Sequence, residues 1–351
     1  MEMDRSNKLV ANWIFIGIGM LIIQVLIGGI TRLSGSGLSI TEWKPIMGFL
    51  LPSSEAEWQQ DFEKYQQIAQ YKYINHYFTL TDFKFIFFWE WFHRVWARLI
   101  AVAFAIPFIY FIIKKYIKPN MVKPLIILVL LGALEGALGW IMVKSGLNDT
   151  NVYVSHIKLS VHFISAMFII SFALYIGLSL VVTPNSFVYN SKLKKFTVAL
   201  IILFAIQLVY GAFMAGMKAA NTAPTWPLIN GEIIPDTMLN KGVFEALFFN
   251  PIAVQFIHRL LAYIIFVVII FWAIHIRKNN PSLSLLKANN LSVALVILQI
   301  VLGIFSVLLS TKIVLGSFGI FEWVALIHQL IGMLLLLSIV AHFFLIKSNK
   351  N

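Results

Sequence analysis

Apolar residues run along this chain in eight long blocks that begin near positions 11, 85, 122, 154, 195, 251, 288 and 322. Each reaches roughly 20 residues, the length a helix needs to cross about 30 Å of hydrocarbon. The pattern predicts an all-α membrane protein with eight transmembrane helices, and an even number of crossings puts both termini on one side. Composition agrees, since 60% of the residues are apolar and 12% charged, far from the balance of a soluble domain. The first block is too long for a signal-peptide core and lacks a small-residue cleavage site, so it reads as a retained span.

The polar segments between the blocks set the orientation. Lys114, Lys115, Lys118 and Lys123, then Lys192, Lys194 and Lys195, then Arg277, Lys278 and Lys287 fall in or beside short loops, which the positive-inside rule places in the cytoplasm. The two long loops, about 33–84 and 218–250, carry most of the acidic residues and belong outside. Both termini are then cytoplasmic. The net charge of +12 is thus topology, and the partner it implies is a lipid bilayer and not nucleic acid. In the first long loop Trp58, Phe62 and Tyr65 recur at helical spacing among polar neighbours. That spacing suits a short amphipathic helix, either lying on the membrane surface or packed as a lid over a site.

The chain also repeats itself. Gln24 with Gly28 near the end of the first block matches Gln207 with Gly211 in the fifth, at an offset of 183. Trp43 and Trp226 follow those glutamines by the same 19 residues, and each has a glycine five positions on, Gly48 and Gly231. Glu135 with Gly139 and Gln299 with Gly303 repeat the polar-x-x-x-Gly element at an offset of 164, and His93-Arg94 matches His258-Arg259 at 165. Two parallel-repeat four-helix bundles are expected, residues 1–190 and 191–351. The change of offset places an insertion of 18 residues in the first outer loop.

With no cysteine in the chain, neither a disulfide nor a thiolate site can form, and histidine is left as the natural strong metal ligand. His93, His162, His258 and His328 fall in the even-numbered blocks, 69 residues apart in the first half and 70 in the second. All four are expected roughly 10 Å below the outer surface, at 1.5 Å of rise per residue. Paired imidazoles on facing helices can hold a six-coordinate haem iron, so each half has a ready ligand pair. The plainer alternative, an interhelical hydrogen bond, suits one isolated histidine better than two matched pairs. His156 stands six residues before His162, on another helix face, and has no place in the repeat; His76, His275 and His342 read as structural or interfacial.

Glu90 shares a helix face with His93, three residues on, whereas the second half has Gln255 at the equivalent position. A carboxylate can move a proton and an amide cannot, so the difference assigns chemistry to the first half and a permanent cofactor to the second. Anchoring His93 or an outer-loop backbone group is the competing role for Glu90. Arg94 and Arg259 are shaped to pair with haem propionates, or to anchor a loop. Glu135 reads as an interhelical hydrogen-bonding group, since its repeat partner is Gln299.

Taken together, Glu90-Trp-Phe-His93-Arg94, Leu138-Gly-Trp-Ile-Met-Val-Lys-Ser-Gly146, Val154-Ser155 leading to His162, Gln255-Phe-Ile-His258-Arg259 and His328-Gln329 resemble the haem A synthase family over nearly the whole chain. The resemblance implies an oxidoreductase that converts a methyl group of haem O to the formyl group of haem A, through a hydroxymethyl stage, for cytochrome oxidase. Carried over by position, His93 and His162 hold the substrate haem with Arg94, Glu90 is the catalytic carboxylate, and His258 and His328 ligate the iron of a resident haem b with Arg259. Some bacterial relatives carry a cysteine pair in the first outer loop, so this chain resembles the cysteine-free branch, which includes the mitochondrial members. The lack of an Arg-rich presequence favours a bacterial cytoplasmic membrane. Pathway logic alone adds haem O synthase as a partner and leaves the electron donor unnamed. Two rivals remain from the residues themselves. One is a di-haem electron carrier, which needs no carboxylate beside one histidine. The other is a transporter, whose site usually lies at interrupted helices near the midplane.

Overall fold

The computed structural model describes residues 5–42, 47–240, 242–314 and 317–348. In chain order the helices are α1 (Arg5–Leu33), α2 (Glu55–Tyr65), α3 (Leu80–Ile113), α4 (Pro119–Lys144), α5 (His156–Val181), α6 (Ser191–Gly216), α7 (Val243–Phe248), α8 (Pro251–Arg277), α9 (Leu283–Leu308) and α10 (Ile320–Leu345). All except α2 and α7 are long and apolar enough to cross a membrane, which gives the eight spans expected. A parallel pair of two-residue strands, β1 (Val188–Tyr189) and β2 (Ile346–Lys347), ties the α5–α6 connection to the end of α10.

The helix starts carry their own signals. Ser155 accepts from the Lys158 amide at the start of α5, and Ser282 does the same for Leu285 in α9. Asn250 accepts from two amides of α8, with Pro251 in the first turn, where its missing N–H costs nothing. At the start of α3, Thr79 and Asp82 form a reciprocal capping box. That cap sets α3 off at Leu80, ahead of the apolar block near 85, so its first turns project beyond the other spans.

The projecting turns have a partner. Trp58 and Phe62 of α2 meet Phe83 and Phe87 of α3 at ring separations of 5.0 to 6.4 Å. Tyr65 is fully buried against Phe83. The amphipathic face of α2 is thus spent on protein, the packed alternative of the two expected. The Tyr65 hydroxyl donates to Gln70 (2.9 Å) and accepts from Asn75 (2.8 Å), and burial pushes its pKa up, keeping the phenol neutral.

Helix α1 packs on α3, α5 and α10, and α5 packs on α4, α6 and α10, so these helices join the two halves of the chain. Equivalent pairs recur: α1 with α3 and α6 with α8, then α4 with α5 and α9 with α10. One equivalence fails. Helix α8 packs along α9, but among the described residues α3 and α4 make no comparable contact, although a short turn over 114–118 joins them. In their most apolar stretches only 6% of α3 and of α4 is buried, against 22% of α8 and of α9.

The sequence supplies a physical reason. At the repeat offset, Gly132 and Gly136 of α4 stand where α9 has Val296 and Ile300, and Val296 is buried. On α3, Pro107 interrupts the hydrogen-bond ladder where α8 has the buried Trp272. A Cβ at Gly132 or Gly136 would meet nothing within 4 Å, so no neighbouring element lies against this face of α4.

Candidate haem sites

Four histidines sit in four glycine notches. The His93 ring of α3 lies against Gly28 of α1, His162 of α5 against Gly139 of α4, His258 of α8 against Gly211 of α6, and His328 of α10 against Gly303 of α9. A Cβ on these glycines would come within 3.0 Å of His93, His162 and His328 and 3.3 Å of His258. The absent side chain is what lets each imidazole reach its place. Each of these glycines stands five residues before the last residue of its helix, so the four rings share one level beneath the ends of those helices.

One helical turn before each glycine stands the polar residue of the repeated element. Gln24 Nε2 lies 3.1 Å from His93 Nδ1 and donates to the His93 carbonyl at 3.2 Å. Gln207 Nε2 donates to the His258 carbonyl at 3.1 Å. Gln299 Nε2 is 3.4 Å from His328 Nε2, and His328 Nδ1 is 3.1 Å from the Gln299 carbonyl oxygen. Glu135 Oε1 lies 2.8 Å from His162 Nδ1. Sequence reading found these elements as repeats but not as histidine seats, because each pairs with a ring on a different helix.

In the second half the rings of His258 and His328 stand 6.5 Å apart, centre to centre. Metal–imidazole bonds measure about 2.0–2.1 Å, so an iron bonded to one nitrogen of each ring separates their centres by roughly 6 Å. His258 Nδ1 and Arg259 Nε are buried without a hydrogen-bond partner. Neutral donors, glycine notches and an unused guanidinium nitrogen fit a haem with its propionates.

The outer edge differs between the halves in the way expected. Glu90 is buried, and its carboxylate accepts from Ser39 Oγ (2.8 Å), the Ile40 amide (2.8 Å) and Arg94. Gln255, also buried, only donates to the Ala223 carbonyl at 2.9 Å. Arg94 donates to the Ile40 and Glu42 carbonyls besides Glu90, and Arg259 to those of Ala223, Thr225 and Leu228. Both arginines therefore hold the start of the long outer loop above their histidine. Sequence reading missed Ser39, whose only signal was its place just beyond the first span.

The remaining histidines behave structurally. His156 Nε2 is 2.7 Å from the Phe248 carbonyl oxygen, and its Cα and Cβ press on Gly216 of α6, so it clamps the two halves together. His342 is fully buried against Trp272, and His275 stacks on Phe271. Trp226 reaches Tyr263 through its indole N–H; its repeat partner Trp43 lies outside the described residues.

Known proteins have similar sequences. The chain is 40% identical to the heme A synthase of Bartonella tribocorum over 340 residues, 96% of this chain and 92% of that protein. It is 39% identical to that of Bartonella henselae over the same shares, and 38% identical to that of Brucella suis over 97% and 92%. The family of cytochrome oxidase assembly proteins designated COX15-CtaA matches residues 11–340. With eight spans, four seated histidines and a match over nearly its whole length, the chain belongs to the COX15-CtaA family.

Proposed function

We propose that this membrane protein is a haem A synthase with two unequal four-helix halves, residues 1–190 and 191–351, the first binding substrate haem O and the second holding haem b. The observation that carries this reading is the carboxylate of Glu90 on the helix face of His93, against the amide of Gln255 on that of His258. The relatives' shared name supports the activity. Eight apolar helices support a multi-pass membrane setting, and the lysine-rich short loops support cytoplasmic termini.

His258 and His328 would ligate the resident haem b, whose chemistry when bound is one-electron transfer. Arg259, with a donor unspent on its loop, would meet a propionate. His93 and His162 would hold haem O between α3 and α5. Its methyl group passes to formyl through a hydroxymethyl stage by two successive two-electron oxidations; with the oxygen taken from water, four protons and four electrons leave the reacting group, the electrons to an external acceptor. Glu90 would take such a proton, and its hold by Arg94, Ser39 and the Ile40 amide, which leaves little to reorganise, supports that role.

The seam between α3 and α4 fits the same division. A substrate must come and go through lipid, whereas a cofactor stays, and among the described residues α3 and α4 lack the contact that α8 and α9 make. Giving α4 the residues of α9, Gly132→Val with Gly136→Ile, narrows that seam. A Cβ at either glycine meets open space, so the chain still folds. Turnover at limiting haem O is expected to fall, with bound haem b unchanged. Unaltered turnover at limiting haem O would remove the seam from the reading.

The activity itself is tested by expressing the chain in cells that make haem O but lack their own haem A synthase, then identifying the extracted haems by chromatography and mass. Haem A is the expected product. Bound haem b with no haem A would instead support an electron carrier.

A further inference from the structure

Three of the four histidine seats use a glutamine one turn before the glycine, Gln24, Gln207 and Gln299, and the fourth uses Glu135. The exception lies in the half that carries Glu90, on the histidine of α5 that would hold the substrate together with His93. Glu135 Oε1 is 2.8 Å from His162 Nδ1, close enough to pair but off hydrogen-bond alignment, and among the described residues neither carboxylate oxygen nor this nitrogen has a hydrogen-bond partner; all three atoms are buried. In the second half His328 Nδ1 faces a neutral backbone carbonyl at 3.1 Å.

We infer that Glu135 is a positioning residue that holds the Nδ1–H of His162 with a full carboxylate, making this imidazole a stronger electron donor to the substrate iron than any other histidine in the chain. The inference rests on the reading that His93 and His162 bind the substrate haem.

The chemistry follows from the two ring nitrogens. An imidazole that binds iron through Nε2 must carry its proton on Nδ1, and the acceptor of that proton sets how basic the ligand is. A carbonyl or amide oxygen takes a small share of the charge, whereas a carboxylate in a low-dielectric site takes much more. Electron density pushed towards iron favours its oxidised state over its reduced state. The carboxylate also offsets the positive charge of an oxidised haem buried in the membrane, where an unpaired charge is costly. The half in which the substrate is oxidised thus has the ligand suited to higher oxidation levels of iron. The resident half lacks it and holds a haem of higher potential.

Glu135→Gln tests this with little structural risk, because it recreates the seat found at the other three histidines. With haem O loaded, redox titration of the full chain should show the first-half haem moved to higher potential and the haem at His258 and His328 unmoved. The electron paramagnetic resonance signal of the first-half ferric haem should shift with it, and haem A formation should fall about tenfold. Glu135→Asp should restore part of each. Lost activity with both potentials and the resonance signal unmoved would overturn the inference and make Glu135 merely structural. If His93→Ala and His162→Ala retain every haem of the unaltered chain, the substrate-site reading fails, and the inference falls with it.

Discussion

Glu90→Gln is expected to cut haem A formation by about a hundredfold or more, the usual scale for removing a positioned proton acceptor, while haem b stays bound in the second half. The amide keeps the size of the side chain, and its one oxygen can still accept from Ser39 and the Ile40 amide while Arg94 keeps the Ile40 and Glu42 carbonyls, so the outer loop stays anchored. Glu90→Ala strips those donors of their acceptor as well, at roughly 1–3 kcal/mol for each buried group left unpaired. Comparing the two separates proton transfer from loop anchoring. If the glutamine variant keeps near-normal turnover and only alanine fails, Glu90 is an anchor and the proton goes elsewhere.

His328→Ala is expected to empty the resident site. A haem held by one histidine loses its six-coordinate state, so the low-spin absorption bands of haem b should disappear and haem A formation should fall with them. Gly303→Val reaches the same end without touching a ligand, because a Cβ there meets His328 Cε1 at 3.0 Å and the valine methyls extend further. Loss of the low-spin bands in both variants, with unchanged size in detergent, ties the effect to ligation. Retention of normal bands in His328→Ala would remove that histidine from the site.

Much of this was legible in the sequence, and its limits have physical causes. Length and hydropathy alone give eight spans, since a bilayer leaves the chain few alternatives. The four histidines, their common level and the contrast of Glu90 with Gln255 follow from repeat arithmetic. The start of α3 was misplaced because apolarity marks the membrane, whereas Thr79 and Asp82 mark the helix. The histidine seats were hidden although every residue in them had been noticed. Gly28 and His93, or Gly139 and His162, meet only through packing of separate helices, and no local period records that. Arg94 and Arg259 stand open between propionates and loops in the sequence; the loop contacts, to the Ile40 and Ala223 carbonyls among others, depend on packing that no local pattern records. The seam was written in the sequence as Gly132 and Gly136 against Val296 and Ile300, but it gains meaning only when α3 is seen not to pack on α4.

The central claim is that the two histidine pairs do different work, and a haem inventory of paired variants tests it most directly. The chain would be purified from cells supplying haem O, once with His93→Ala and His162→Ala and once with His258→Ala and His328→Ala, and its bound haems identified. The account predicts that the first variant keeps haem b and loses haem O and haem A, whereas the second loses haem b and can still hold haem O. Equal loss of the same haem from both variants would contradict it.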